Sequence, residues 1–207
     1  MTDKITIAID AMGGDNSPSK NIEGLSIFLR KNKKVENIYF NLFGKEKDIR
    51  VYLNKFKINE KNIKIFNCEN IVSDEETPLT AIKNSKNTSM WNSINSQLIN
   101  NADITLSAGN TGVLLVISRM LLKTIEKVSK PALAALWPSK KGSIVVLDLG
   151  ANIECDENNL VDFSELGSAL YKSIFPKEKP KVSLLNIGSE EIKGTDSIKK
   201  AYSKLKE

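Results

Sequence analysis

Four short glycine-bearing stretches contain the groups from which an anion site can be built. They are DAMGGDNSP (10–18), SAGNTG (107–112), DLGANIE (148–154) and NIGSEEIKGTD (186–196). Glycine lets a backbone take positive φ or approach a ligand closely, as at Gly13-Gly14. Helix N-termini offer free N–H groups to an anion. Lys83, Lys86 and Lys193 are candidate counter-charges. For each lysine the plain alternative is a solvated surface charge, and for each glycine a simple turn. No stretch matches the dinucleotide fingerprint or the P-loop. Taken together, the four turns suggest a phosphate-rich or oxyanion-bearing ligand.

The chain has no histidine. That excludes Ser-His-Asp and Cys-His catalysis, histidine-based zinc sites and imidazole general bases. Any chemistry falls to lysines, carboxylates, hydroxyls and backbone N–H groups. Cys68 and Cys155 lie far apart, outside metal-type spacing, which fits a reduced, cytoplasmic setting. Cys155 is a poor nucleophile, because neighbouring Glu154 and Asp156 raise a thiol pKa.

The turns need elements to carry them. Ile5, Ile7 and Ile9 alternate in KITIAID with Ala8 also apolar, as in a buried strand over 4–10. Further strands are expected over 37–44, 61–68, 102–107, 130–139, 143–151 and 181–188. Helical spacing recurs in 18–34, 45–56, 111–127, 160–175 and 196–207, with two shorter helices in 78–86 and 88–101. Ser17 is the expected N-cap of the first helix, with Pro18 at its first position. Strands alternating with helices predict an α/β fold with a mainly parallel sheet, whose ligands bind beyond the carboxyl ends of the strands.

With 207 residues, 41% hydrophobic and 27% charged, the chain is expected to form a single α/β domain over 1–207. No apolar run reaches membrane-spanning length, and MTDKITIAID reads as a strand rather than a leader. The net charge of +5 comes without a dense basic run interleaved with aromatics, so nucleic acid is not an expected partner.

The blocks IAIDAMGGD, SAGNTG, PALAALWP, VLDLGANIECD and LLNIGSEEIKG follow one another in an order that resembles the bacterial phosphate acyltransferases, acyl-acyl-carrier-protein:phosphate acyltransferases of phospholipid synthesis. The resemblance implies a three-layer αβα sandwich with a mostly parallel sheet, of the phosphotransacetylase and isocitrate-dehydrogenase-like kind. It implies transfer of a fatty acyl group from acyl carrier protein to inorganic phosphate, with no cofactor and no metal. It also implies a homodimer, cytoplasmic and, in full-length members, peripheral to the membrane. Lys193 and Asn110 become the expected catalytic residues. Asp10, Gly13, Gly14, Asp15, Lys83, Lys86, Ser107, Gly109, Thr111, Gly112, Asn152 and Asn186 become the expected substrate-binding residues. Asp148, which also ends a strand, is weighed equally as a turn residue.

Two departures from the family pattern stand out. Asn16 takes the place of a usual histidine, and members run well beyond this length, so the chain resembles their N-terminal two-thirds. The alternatives are a phosphate acetyl- or butyryltransferase using acyl-CoA and a truncated binding domain without turnover. A nicotinamide-dependent dehydrogenase lacks its fingerprint.

Overall fold

The computed structural model describes residues 4–206 apart from 33, 34, 74, 78, 79, 81, 82, 141 and 191. Two compact units make up the chain, Met1–Lys123 and Thr124–Glu207.

In the first unit, β1 (Ile5–Asp10), β2 (Ile38–Gly44), β3 (Ile63–Asn67) and β4 (Ile104–Ser107) form one parallel sheet in the order β3-β2-β1-β4. Period-two alternation sorts their side chains. Ile7, Ile9, Phe40, Leu42, Ile63 and Ile65 pack with Ile22 and Leu25 of α1 (Ser19–Lys31) and with Ile49 and Leu53 of α2 (Glu46–Lys55). Ala8 and Phe43 point the other way. On that face α3 (Ser89–Leu98) lies against β1 and β2 and packs Met90 and Ile94 on Val113 and Ile117 of α4 (Thr111–Leu122). Helices thus cover both faces, as a parallel sheet requires. Ile22, Ile49 and Leu53 are almost fully buried, and each such side chain stabilises the fold by about 1.5–3 kcal/mol.

The helix ends show their causes. Thr88 caps α3 by accepting the Trp91 N–H at 3.2 Å. The α4 helix stops at Lys123, which has φ +63. Pro18, rather than Ser17, precedes α1 as its cap residue, and no side chain caps that end. The Ser17 hydroxyl instead donates to the Met12 carbonyl at 2.6 Å, so it serves the preceding turn.

In the second unit, β5 (Ala135–Ser139) and β6 (Gly142–Val146) form an antiparallel hairpin. It is followed by α5 (Glu157–Ile174), which a reciprocal Asp156–Asn159 capping box starts, and by α6 (Asp196–Lys206). The apolar run expected as a strand over 181–188 is not one. Val182, Leu185 and Ile187 are 49%, 95% and 86% exposed, and no strand pairs with them among the described residues. Strand propensity needs a ladder partner to be realised. Four positions of the short helix expected over 78–86, residues 78, 79, 81 and 82, fall outside those described.

Candidate functional site

β1 and β4 are sheet neighbours in parallel register, with Asp10 beside Ser107. The two glycine turns that follow them therefore leave the sheet side by side. Asp10 is 2% exposed. One carboxylate oxygen accepts the Ser107 hydroxyl at 2.7 Å and the other accepts the Met12 N–H at 3.3 Å. Burial raises the Asp10 pKa, partly offset by hydrogen bonds from the Ser89 and Ser107 hydroxyls and from the Met12 and Gly13 backbone. The Ser107 oxygen accepts the Gly109 N–H at 3.1 Å.

The glycines are where the turns touch each other. A Cβ on Gly13 would lie 2.6 Å from the Asp10 carboxylate and 2.8 Å from the Gly109 nitrogen. Gly14 has φ +85, and a Cβ there would lie 2.6 Å from the Ala108 carbonyl oxygen. On Gly109 a Cβ would meet the Met90 methyl at 2.8 Å and the Gly13 Cα at 3.3 Å. Asn16 has φ +58, a conformation in which asparagine and histidine are both enriched.

Asp15 is exposed on the first of these turns. On the second, Asn110 caps α4 by accepting the Val113 N–H at 3.1 Å, and its amide donates to the Glu76 carbonyl at 3.1 Å. Thr111 and Gly112 form the first turn of α4, whose leading N–H groups have no partner within the helix. Lys83 and Lys86 are exposed on the stretch leading into α3.

The other predicted residues belong to the second unit. Asn152 donates its backbone N–H to Asp148 at 2.7 Å, and its side-chain amide donates to Asp148 at 3.0 Å and to the Pro131 carbonyl at 2.8 Å. Asp148 also accepts the N–H groups of Leu133 and Ala151 at 2.8 and 3.3 Å. Burial pushes the Asp148 pKa up, but these donors outweigh it and hold the carboxyl below its usual value. Asn186 and Lys193 share one turn, where the Asn186 amide donates to the Lys193 carbonyl at 3.2 Å. The Lys193 side chain is exposed. Burial raises the Cys155 pKa; Lys130 opposes this, while Asp148 and Asp156 add to it. The structure thus gathers Asp10, Gly13, Gly14, Ser107 and Gly109 on adjacent ends of one parallel sheet. The expected set of four strand ends reduces to these two, because β6 belongs to a separate hairpin and 181–188 forms no strand.

Sequence reasoning missed Asn21 and Ser89. The Asn21 amide donates to the carbonyls of Ala11 and Gly13, each at 2.9 Å, and so ties α1 to the first turn. Its one signal is an amide in the opening turn of a helix, where asparagine is otherwise a poor helix former. Losing it leaves two carbonyls of the turn without their donor. Asn21→Ala is therefore expected to destabilise the chain by about 1–3 kcal/mol, read from the midpoint of urea unfolding. A change under about 0.5 kcal/mol would show that the turn holds without it.

Comparison with known proteins gives the chain a family and its fold solved relatives. The family model described as "Fatty acid synthesis protein" matches residues 5–207. A phosphate acyltransferase of Pelagibacter ubique is 50% identical over 205 residues, which are 99% of this chain and 60% of the relative. One of Anaplasma phagocytophilum is 40% identical over 205 residues, 99% of this chain and 59% of the relative. The chain thus spans about three-fifths of the length of these relatives. Among solved structures, the EutD phosphotransacetylase from Staphylococcus aureus superposes with a TM-score of 0.66 at 16% identity, covering 98% of this chain and 65% of that one. A phosphotransacetylase from Streptococcus pyogenes gives 0.63 at 14% identity, covering 90% of this chain and 60% of that one. At these identities the likeness concerns the fold alone. With blocks of its sequence in the family's order and residues 5–207 matched by the family model, the chain belongs to the fatty acid synthesis protein family.

Proposed function

We propose that the chain is an acyltransferase that moves a fatty acyl group from the thioester of acyl carrier protein to inorganic phosphate, giving an acyl phosphate for phospholipid synthesis. The observation that carries this is that nearly the whole chain matches relatives named phosphate acyltransferase, one of them 50% identical, over about three-fifths of their length. A phosphate oxygen attacks the thioester carbonyl carbon, the C–O bond forms, the C–S bond breaks, and the carrier leaves as its thiol after taking up a proton. Phosphate is already nucleophilic at neutral pH, so positioning is the protein's main contribution. The backbone N–H groups of Thr111 and Gly112, on turns shaped by Gly13, Gly14 and Gly109, are the proposed anion cradle, with Lys83 and Lys86 adding positive field. Lys193 is the proposed cation for the reacting phosphate or the developing oxyanion. Asn152 and Asn186 are secondary candidates. The reaction requires neither an imidazole nor a covalent enzyme intermediate, which suits a chain without histidine. A cytoplasmic homodimer, peripheral to the membrane only in a full-length form, completes the proposal. Among the described residues no helix is long and apolar enough to cross a membrane.

The deciding assay measures acyl phosphate formed from acyl-acyl carrier protein and from the same acyl group on coenzyme A. Faster turnover of the carrier-bound donor supports the proposal. A clear preference for acyl-CoA would replace it with a phosphate acetyl- or butyryltransferase reading. Asn16 allows a second check. Because either residue suits φ +58, Asn16→His is expected to change the rate by less than about tenfold, roughly 1.4 kcal/mol in barrier. A gain of about a hundredfold would mean that an imidazole is needed.

A further inference from the structure

We propose that Asp10 and Ser107 are a buried positioning pair that sets the shape of the Ser107–Gly112 turn without touching substrate. The inference rests on the reading of that turn as a phosphate cradle. A serine hydroxyl has a single hydrogen to give. The Ser107 hydrogen goes to the Asp10 carboxylate at 2.7 Å, and the same oxygen accepts the Gly109 N–H at 3.1 Å. Its donor is therefore spent, and it has none to offer an anion. Asp10 cannot serve as a ligand group either. It is 2% exposed, and a carboxylate facing a phosphate directly would repel it. Hydroxyl and N–H donors from Ser107, Ser89, Met12 and Gly13 surround it instead.

What the pair transmits is polarity. Ringed by donors, the carboxylate takes the Ser107 hydrogen, and a lone pair of the same hydroxyl turns toward the Gly109 N–H. That bond fixes the start of the turn at the point where Gly109 packs on Gly13, with 3.3 Å between the site of a Gly109 Cβ and the Gly13 Cα. Asn in place of Asp10 puts a donor opposite the Ser107 hydroxyl, or turns its one acceptor away from Met12. Removing the Ser107 hydroxyl takes the acceptor from the Gly109 N–H and one donor from Asp10. Either change loosens the same turn by the same route, so their effects should not add.

The test uses the 207-residue chain and its Asp10→Asn, Ser107→Ala, Ser107→Thr and combined Asp10→Asn/Ser107→Ala variants. Inorganic phosphate binding is read by calorimetry, and initial rates are taken over ranges of phosphate and of acyl donor. Asp10→Asn and Ser107→Ala should each weaken phosphate binding and raise the phosphate KM by about tenfold or more, leaving the donor KM unchanged. The double variant should be no worse than the weaker-binding single, and Ser107→Thr, which keeps the hydroxyl, should stay within about threefold of the parent. Phosphate affinity unchanged in Ser107→Ala, a fall in kcat with both KM values constant, or additive losses in the double would each overturn the pairing. If the parent binds phosphate but transfers no acyl group, the positioning role stands and the acyltransferase reading falls. If the parent binds no phosphate, the positioning role itself is refuted.

Discussion

The Gly109→Val chain is expected to form no acyl phosphate above the uncatalysed background. A single Cβ at this position already lies 2.8 Å from the Met90 methyl and 3.3 Å from the Gly13 Cα and the Ser107 oxygen. Valine adds two further methyls to that space. The turn must then move away from Gly13, and with it the opening of α4. Gly14→Val should behave alike for a second reason, because its φ of +85 disfavours any β-branched residue and its Cβ would strike the Ala108 carbonyl at 2.6 Å. Overpacking of this kind costs about 1–3 kcal/mol, whereas total stabilities run to about 5–15 kcal/mol. The cluster beneath α1 and α2 is separate from this contact, so the variants should still fold, with a lowered Tm. Gly109→Ala is the milder companion, since the Met90 methyl it meets sits at the end of a flexible side chain. It should keep the fold and lose activity only in part. Parental turnover in Gly109→Val or Gly14→Val would remove the turns from the phosphate site.

This result bears on what the sequence could reveal. Two glycines after β1 and two in SAGNTG suggest that something approaches the backbone, and at Gly13, Gly14 and Gly109 the backbone is closely approached. The first thing that approaches is the other turn. Gly13 and Gly109 meet because Asp10 and Ser107 pair across parallel strands, 97 residues apart in the chain. No local pattern reports a contact of that span. The Asp10–Ser107–Gly109 chain of hydrogen bonds was hidden for the same reason, although each of its residues was a candidate. Strand and helix alternation was legible in the first unit, because both faces of the sheet are covered and the alternation of Ile7, Ile9 and Ala8 records it. Residues 181–188 show the limit. Their apolar run has a strand's composition, yet a strand is a relation to a partner, and composition does not supply one. Ser17 is a parallel case at the level of one side chain. A serine before a proline is a good cap on paper, but its hydroxyl found a nearer carbonyl at Met12.

Lys193→Ala is expected to lower acyl transfer to phosphate by about a hundredfold or more, roughly 2.7 kcal/mol in barrier. The turn that bears this lysine is held by its backbone rather than by its charge. The Lys193 N–H donates to the Glu190 carbonyl at 2.9 Å, and the Lys193 carbonyl accepts the Asn186 amide at 3.2 Å. Gly194, at φ +93, makes room for that amide, since a Cβ there would lie 2.5 Å from the Asn186 side-chain oxygen. At Gly188 a Cβ would meet the Lys193 stem at 3.1 Å, so the first carbons of the side chain are placed as well. Among the described residues no ion pair engages its ammonium. A placed stem with an exposed head suits a cation meant for a ligand, and without histidine the stabilising of growing negative charge falls to lysine, hydroxyl and backbone N–H donors. Charge-assisted contacts to an oxyanion exceed neutral hydrogen bonds in strength. Because no ion pair among the described residues engages the head group, Lys193→Ala should unfold within about 0.5 kcal/mol of the parent. Lys193→Arg keeps the charge but replaces a compact ammonium with a planar fork, so it should recover only part of the rate. The three proteins are compared in acyl phosphate formation and in urea unfolding. Full activity in Lys193→Ala would return the lysine to the surface charges. A large loss of stability would place it in the scaffold, and only loss of rate at constant stability assigns it to the chemistry.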